Sequence, residues 1–153
     1  MGSCTFFGHK DCLHTVEDAL ISTLTGLIES GQVNKFYIGN NGGYDAAVAK
    51  ILMKLKKNYP QIQCTLVLAY LPKNEDTGSF YFEMDSVYPE ECGTAPRKFA
   101  IDRRNHWMLK KCDYVVTYVE RCGGAAKFKN IAQKMGKRVI ELAQNEEKKE
   151  GPV

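Results

Sequence analysis

Two glycine-rich turns carry the residues best placed for chemistry. "GNNGGYD" holds Gly39, Gly42 and Gly43 with Asp45 two places on, and "RCGGAAK" holds Gly123 and Gly124. Each stands where an apolar run gives way to a helical pattern. A helix start offers unpaired N–H groups and the positive end of its dipole, and glycine lets the backbone approach a phosphate closely. Each turn alone reads either as an anion cradle or as an ordinary connector. Neither is GxGxxG, and neither is the GxxxxGK[ST] loop of P-loop proteins.

Around these turns lie groups with reactive or gripping side chains. His9 follows Gly8 at the end of the first apolar run, where an imidazole can hydrogen-bond a ligand, act as acid or base, or simply sit in a turn. Asp45 can complement a helix dipole, hold a sugar hydroxyl or polarise a reacting group. Glu120 precedes the second turn. "DRRNHW" supplies Arg103, Arg104 and Asn105, and paired arginines can fork onto a phosphate or lie on a solvated helix face. His14 and His106 read as surface or helix-face residues. Arg97 and Lys98 read as solvated, and Trp107 and Met108 as core.

The elements that must hold these groups alternate. "SCTFFGH" reads as a strand, and residues 14–31 as a helix with Val16, Leu20, Leu24, Leu27 and Ile28 at helical spacing, capped by Thr15 and ended by Gly31. "VNKFYIG" is a second strand. It is followed by a helix to Pro60 whose apolar face is Ala46, Ala47, Val48, Ile51, Leu52 and Leu55. "IQCTLVLAYLP" is apolar throughout, as a strand buried on both faces would be. Residues 98–112 read as a helix, "DYVVTYV" as a strand, "GGAAKFKNIAQKMG" as a helix and "KRVIEL" as the last strand. Between them, residues 71–96 show no helical period and read as a long connection, with Phe80, Tyr81 and Phe82 able to anchor it or to cover a base.

This β-α-β-α-β-loop-α-β-α-β order predicts an α/β fold, a Rossmann-like three-layer sandwich around a mostly parallel sheet of about five strands. One domain over residues 1–143 and a flexible tail over 144–153 are expected. In such sheets ligands bind at the carboxyl ends of strands, where strand order reverses.

Composition limits the function classes. The chain has 153 residues, 44% hydrophobic and 25% charged, with a net charge of +3 spread along it. Such a chain builds an ordinary core and carries no strong basic patch. No apolar run reaches the roughly 20 residues of a membrane helix. "MGSCTF" resembles a myristoylation pattern, but the residues that follow read as a core strand, and a secretory signal is not expected. Of six cysteines, Cys4, Cys64 and Cys112 lie in or beside apolar runs, and none forms a CxxC pair or a zinc pattern. The expectation is a reduced, cytoplasmic protein with no metal.

"CTFFGHKD", "GNNGGYDAAVAK", "RRNHWMLKKCDYVVTYV" and "GGAAKFKNIAQKMGKRVIEL", in this order, resemble the SLOG superfamily. That group unites SMF/DprA-type and LOG-type Rossmann-like domains, and the resemblance is nearest to its YpsA-like branch. It covers residues 4–142. It implies a domain that binds a nucleotide or nucleotide derivative as its small-molecule partner, through Gly8, His9, Gly42, Gly43, Asp45, Arg104, Asn105, Gly123 and Gly124. It also implies a homodimer.

LOG-type members release the base from a nucleoside monophosphate with an Arg and a Glu, the Glu following a Pro-Gly-Gly-x-Gly-Thr turn. Here the turn is "RCGGAAKFKN", without that Pro and Gly-Thr, and with Lys127 and Lys129 where the carboxylate would stand. Asp45 or Glu120, with His9, would have to do that work. The alternatives are therefore a nucleotide-binding protein, an N-glycosidase and a non-catalytic interaction module using residues 71–96. DprA-type proteins bind single-stranded DNA, but without a basic patch interleaved with aromatics nucleic acid is not expected here.

Overall fold

The computed structural model describes residues 2–11, 16–71 and 84–143. The expected Thr15 cap, His14, Cys12, the aromatics Phe80, Tyr81 and Phe82, and the tail lie outside the described residues.

The elements are β1 (Gly2–Gly8), α1 (Glu17–Glu29), β2 (Val33–Ile38), α2 (Gly43–Asn58), β3 (Gln63–Val67), β4 (Asp85–Val87), α3 (Glu90–Thr94), α4 (Ala100–Lys111), β5 (Tyr114–Tyr118), α5 (Gly124–Lys134) and β6 (Arg138–Glu141). All strand pairs are parallel, in the order β4-β3-β2-β1-β5-β6. The α/β Rossmann-like architecture expected from the sequence is therefore present.

Among the described residues the sheet has six strands, against the about five read from the sequence. The additional β4 comes from the stretch read as a connection. Three residues are too few to show alternation, and β4 exists through its pairing with β3, Thr65 opposite Asp85 and Val67 opposite Val87. The short α3 also lies there, and a single 3-10 turn at Arg97–Phe99 follows it and leads into α4.

Helices cover both faces of the sheet, as right-handed crossovers require. On one face, Leu20, Leu24 and Leu27 of α1 and Val48, Ile51 and Leu52 of α2 pack on Phe6, Phe36 and Ile38. On the other, Met108 and Leu109 of α4 and Phe128 and Ala132 of α5 pack on Phe7, Val67 and Val115. Adjacent strand residues point to opposite faces, so Phe6 serves the first core and Phe7 the second. The run Cys4–Phe7 is buried throughout because β1 lies mid-sheet with helices on both sides.

Two packing expectations differ in detail. Ala46 is exposed, and Tyr44, Ala49 and Met53 join the buried face of α2 instead. Trp107 is half-buried, edge-on to Tyr37 at 5.7 Å with the Lys111 ammonium 5.2 Å over its ring, while Met108 is buried.

Cys4, Cys64, Cys92 and Cys112 are buried free thiols, and Cys122 is an exposed one. Burial pushes the Cys64 thiol to about 11 and the Cys112 thiol to about 12, so both behave as small apolar groups. No helix among the described residues is long and apolar enough to cross a membrane.

Candidate ligand cleft at the sheet switch point

β1 sits between β2 and β5. β2, β3 and β4 build outward on one side of it, and β5 and β6 on the other. The connections after β1 and β5 thus leave the sheet in opposite senses, which opens a crevice above the two carboxyl ends. A cavity of about 570 Å³ occupies it. Its walls include Gly8, His9 and Asp11 after β1, Asp45 at the start of α2, Arg104 and Asn105 on α4, and the 121–125 turn entering α5.

The two glycine turns are used differently. At α2, the Gly43 N–H donates to the Lys10 carbonyl at 2.6 Å and the Tyr44 N–H to the His9 carbonyl at 3.3 Å. Gly42 has φ +111°, and a Cβ there would meet Lys10 Cα at 2.7 Å. The start of α2 is therefore spent on clamping the loop after β1. Asp45 completes it by accepting the Asn41 N–H at 2.9 Å.

At α5, Gly123 has φ +145°, while a Cβ added at Gly123 or Gly124 meets nothing within 4 Å. The first turn of α5 carries no acidic residue, unlike those of α2 and α4. Its dipole therefore meets the cleft without a carboxylate of its own.

Two ion pairs lie along the rim. Arg121 beside the turn holds Asp11 of the β1 loop, and Lys127 of α5 holds Asp102 of α4 at 2.9 Å. The hydrogen bond from Arg121 keeps the Asp11 carboxyl below its ordinary range. His106 reaches Asp102 at 3.7 Å.

Deeper in, Arg104 is 3% exposed and its Nε donates to Asn105 Oδ1 at 3.2 Å. The guanidinium fits because Gly39 has no side chain: a Cβ there would stand 2.7 Å from its central carbon. Burial pushes the Asp45 carboxyl above its ordinary range, with the Arg104 charge and the Asn41 N–H pulling the other way.

No protein-family model and no curated protein matches the chain. A solved structure of DNA processing protein A from Helicobacter pylori, described for its single-stranded DNA binding mode, superposes with a TM-score of 0.65 at 14% identity. The fold is similar to that of DNA processing protein A. The match takes in 91% of this chain and 64% of that one, so this chain spans less than two thirds of the neighbour's length. The likeness and the parallel sheet agree on a Rossmann-like fold. The finding also corrects the expectation about nucleic acid: a protein of this fold binds single-stranded DNA, so the lack of a sequence-visible basic patch interleaved with aromatics is no ground for excluding that partner.

Of the residues singled out in the sequence, Gly8, His9, Asp45, Arg104, Asn105, Gly123 and Gly124 line the cleft. Gly39, Gly42, Gly43 and Glu120 are not on its wall. Gly39 backs Arg104, Gly42 and Gly43 brace Lys10, and Glu120 is exposed with its backbone N–H bound to His9 Nε2. Arg103 is exposed and does not join Arg104, because neighbours on a helix point about 100° apart.

The sequence reading passed over three carboxylates. Asp11 and Asp102 carry no local pattern to mark them. Glu141 does: it is the one acid in the last apolar strand, "RVIE". Its side chain accepts from Thr117 Oγ1 at 2.7 Å, the Val119 N–H at 2.9 Å and the Ala143 N–H at 3.0 Å, and pairs with Lys129 at 3.0 Å. Glu141 is thus a buried brace for the end of β5.

Proposed function

We infer that this domain binds a nucleotide or nucleotide derivative in the cleft at the β1–β5 switch point, as a member of the SLOG superfamily near its YpsA-like branch. One observation carries the reading: the glycine-opened, acid-free start of α5 faces a cavity of about 570 Å³ at that point. The phosphate meets the N–H groups at Gly123, Gly124 and Ala125, with Lys127 as a nearby charge. Asp45, Arg104 and Asn105 surround the sugar and base.

The test is a thermal-shift panel of AMP, ADP-ribose and ribose 5-phosphate. A ligand at 100 times its Kd adds about 2.7 kcal/mol, or roughly 5–10 °C for a chain of this size. Flat melting curves across the panel refute the reading. Release of free base from AMP, lost in Asp45→Asn, would add hydrolysis to binding.

A second reading is single-stranded DNA in the same cleft. The DprA neighbour binds it, and Lys10, Lys98, Arg121 and Lys127 all line this cleft. An unstructured oligonucleotide in the same panel distinguishes the two: stabilisation by it alone, falling steeply with salt, favours DNA.

A further inference from the structure

The loop after β1 touches both glycine turns, and His9 does so with its side chain as well as its backbone. His9 is 7% exposed, and its ring is edge-on to Tyr118, with ring centroids 6.4 Å apart. Its Nε2 accepts the backbone N–H of Glu120 at 2.7 Å, joining residues 111 positions apart. Glu120 opens the connection that turns at Gly123 into α5. On the other side, the His9 and Lys10 carbonyls take the first N–H groups of α2. An Nε2 that accepts carries no proton, so the proton of the neutral ring is on Nδ1.

We propose that His9 is a positioning residue: through Nε2 it fixes the β5–α5 turn against the β1 loop, and it acts on a ligand only by setting where the Gly123–Gly124 N–H groups stand. A backbone cradle works only when its donors sit about 2.7–3.1 Å from the anion, and displacing such a group by about 1 Å costs on the order of a hundredfold. The Glu120 N–H is a strong local reference point for that turn. The effect on a ligand rests on the reading of the α5 turn as a phosphate site; the bond from Glu120 to His9 does not.

His9→Leu and His9→Gln separate the roles, because a glutamine Oε1 can accept near the position of Nε2 and a leucine cannot accept at all. Amide hydrogen exchange at Glu120 should quicken about fivefold or more in His9→Leu, the loss of one hydrogen bond. Arg121 to Gly124 should follow it, while Phe6 and Val116 in the core stay unchanged. In His9→Gln the Glu120 amide should exchange as in the unaltered protein.

Nitrogen NMR of the unaltered protein should find the imidazole proton on Nδ1, a readout that needs no variant to fold. Affinity for AMP should drop about tenfold in His9→Leu and stay within about twofold in His9→Gln. Unchanged Glu120 exchange in His9→Leu, or a proton on Nε2, overturns the proposal. So does an equal loss of AMP affinity in both variants while Gln still protects the Glu120 amide, since His9 would then meet the ligand directly. If AMP does not bind the unaltered protein, the functional reading fails, and the exchange and NMR results still decide the role of His9.

Discussion

Replacing Gly8 and Gly124 by alanine, one at a time, should have opposite effects on stability. A Cβ on Gly8 would stand 2.3 Å from the Tyr44 ring, inside any real carbon–carbon contact. The ring has little room to yield: Tyr44 is 1% exposed, its hydroxyl donates to the Val116 carbonyl at 2.9 Å, and it stacks on Tyr118. Overpacking a core usually costs 1–3 kcal/mol, and a ring held at both ends puts Gly8→Ala near the top, about 2–3 kcal/mol. For a chain of this size that lowers the melting temperature by roughly 5–10 °C.

At Gly124 a Cβ meets nothing, and alanine is the better helix former. Gly124→Ala should therefore hold or gain about 0.4–1 kcal/mol, through a less flexible unfolded chain. Urea unfolding followed by circular dichroism reads both. Equal stability of Gly8→Ala and the unaltered protein would refute the claim that Gly8 is fixed by packing. A comparable loss in Gly124→Ala would refute the claim that the α5 turn is free of packing constraints.

Two carboxylates should give opposite pH slopes. Burial alone would raise Glu141, but hydrogen bonds from the Val119 N–H, Thr117, Lys129 and the Ala143 N–H together bring it below its ordinary range. A depressed carboxyl contributes its stability above the unfolded pKa and loses it as pH falls through the folded one. Denaturation curves should thus show an acid loss below about pH 4.5 that is shallower in Glu141→Gln, itself weaker at pH 7 by about 2 kcal/mol. Asp45 is raised, so its ionised form costs stability as pH rises through its folded pKa. Asp45→Asn should be more stable than the unaltered protein at pH 7, with the gap closing in acid, and a loss at pH 7 would contradict this.

Much of this arrangement was legible in the sequence, and the misses have physical causes. Continuous apolar runs marked β1, β3 and β5, because strands buried on both faces need nothing polar. The alternation of strands with helical periods gave a parallel sheet, and from it the place to look for a site. β4 was hidden because three residues carry no period, and only pairing with β3 makes them a strand.

The two glycine turns looked alike in sequence. Their difference lies in their surroundings: Lys10 and His9 carbonyls take the N–H groups at α2, whereas Gly123, Gly124 and Ala125 line the cleft at α5. Arg103 and Arg104 are likewise adjacent in the chain and separated by the helix, one in solvent and one under Gly39. The pairs Asp11–Arg121 and Asp102–Lys127 join distant segments, and a single sequence has no signal for such contacts. Only Glu141 could have been found, as a carboxylate in an apolar strand that burial would force to take partners.

The most direct test of the cleft reading is an amide NMR titration of the nitrogen-labelled protein with AMP. The account predicts that the largest shifts fall on Gly123, Gly124 and Ala125, with smaller ones at His9 and Asn105, and that Gly124→Leu removes them while leaving the rest of the spectrum in place. No shifts at saturating AMP, or shifts confined to Gly42 and Gly43 at the start of α2, would contradict it.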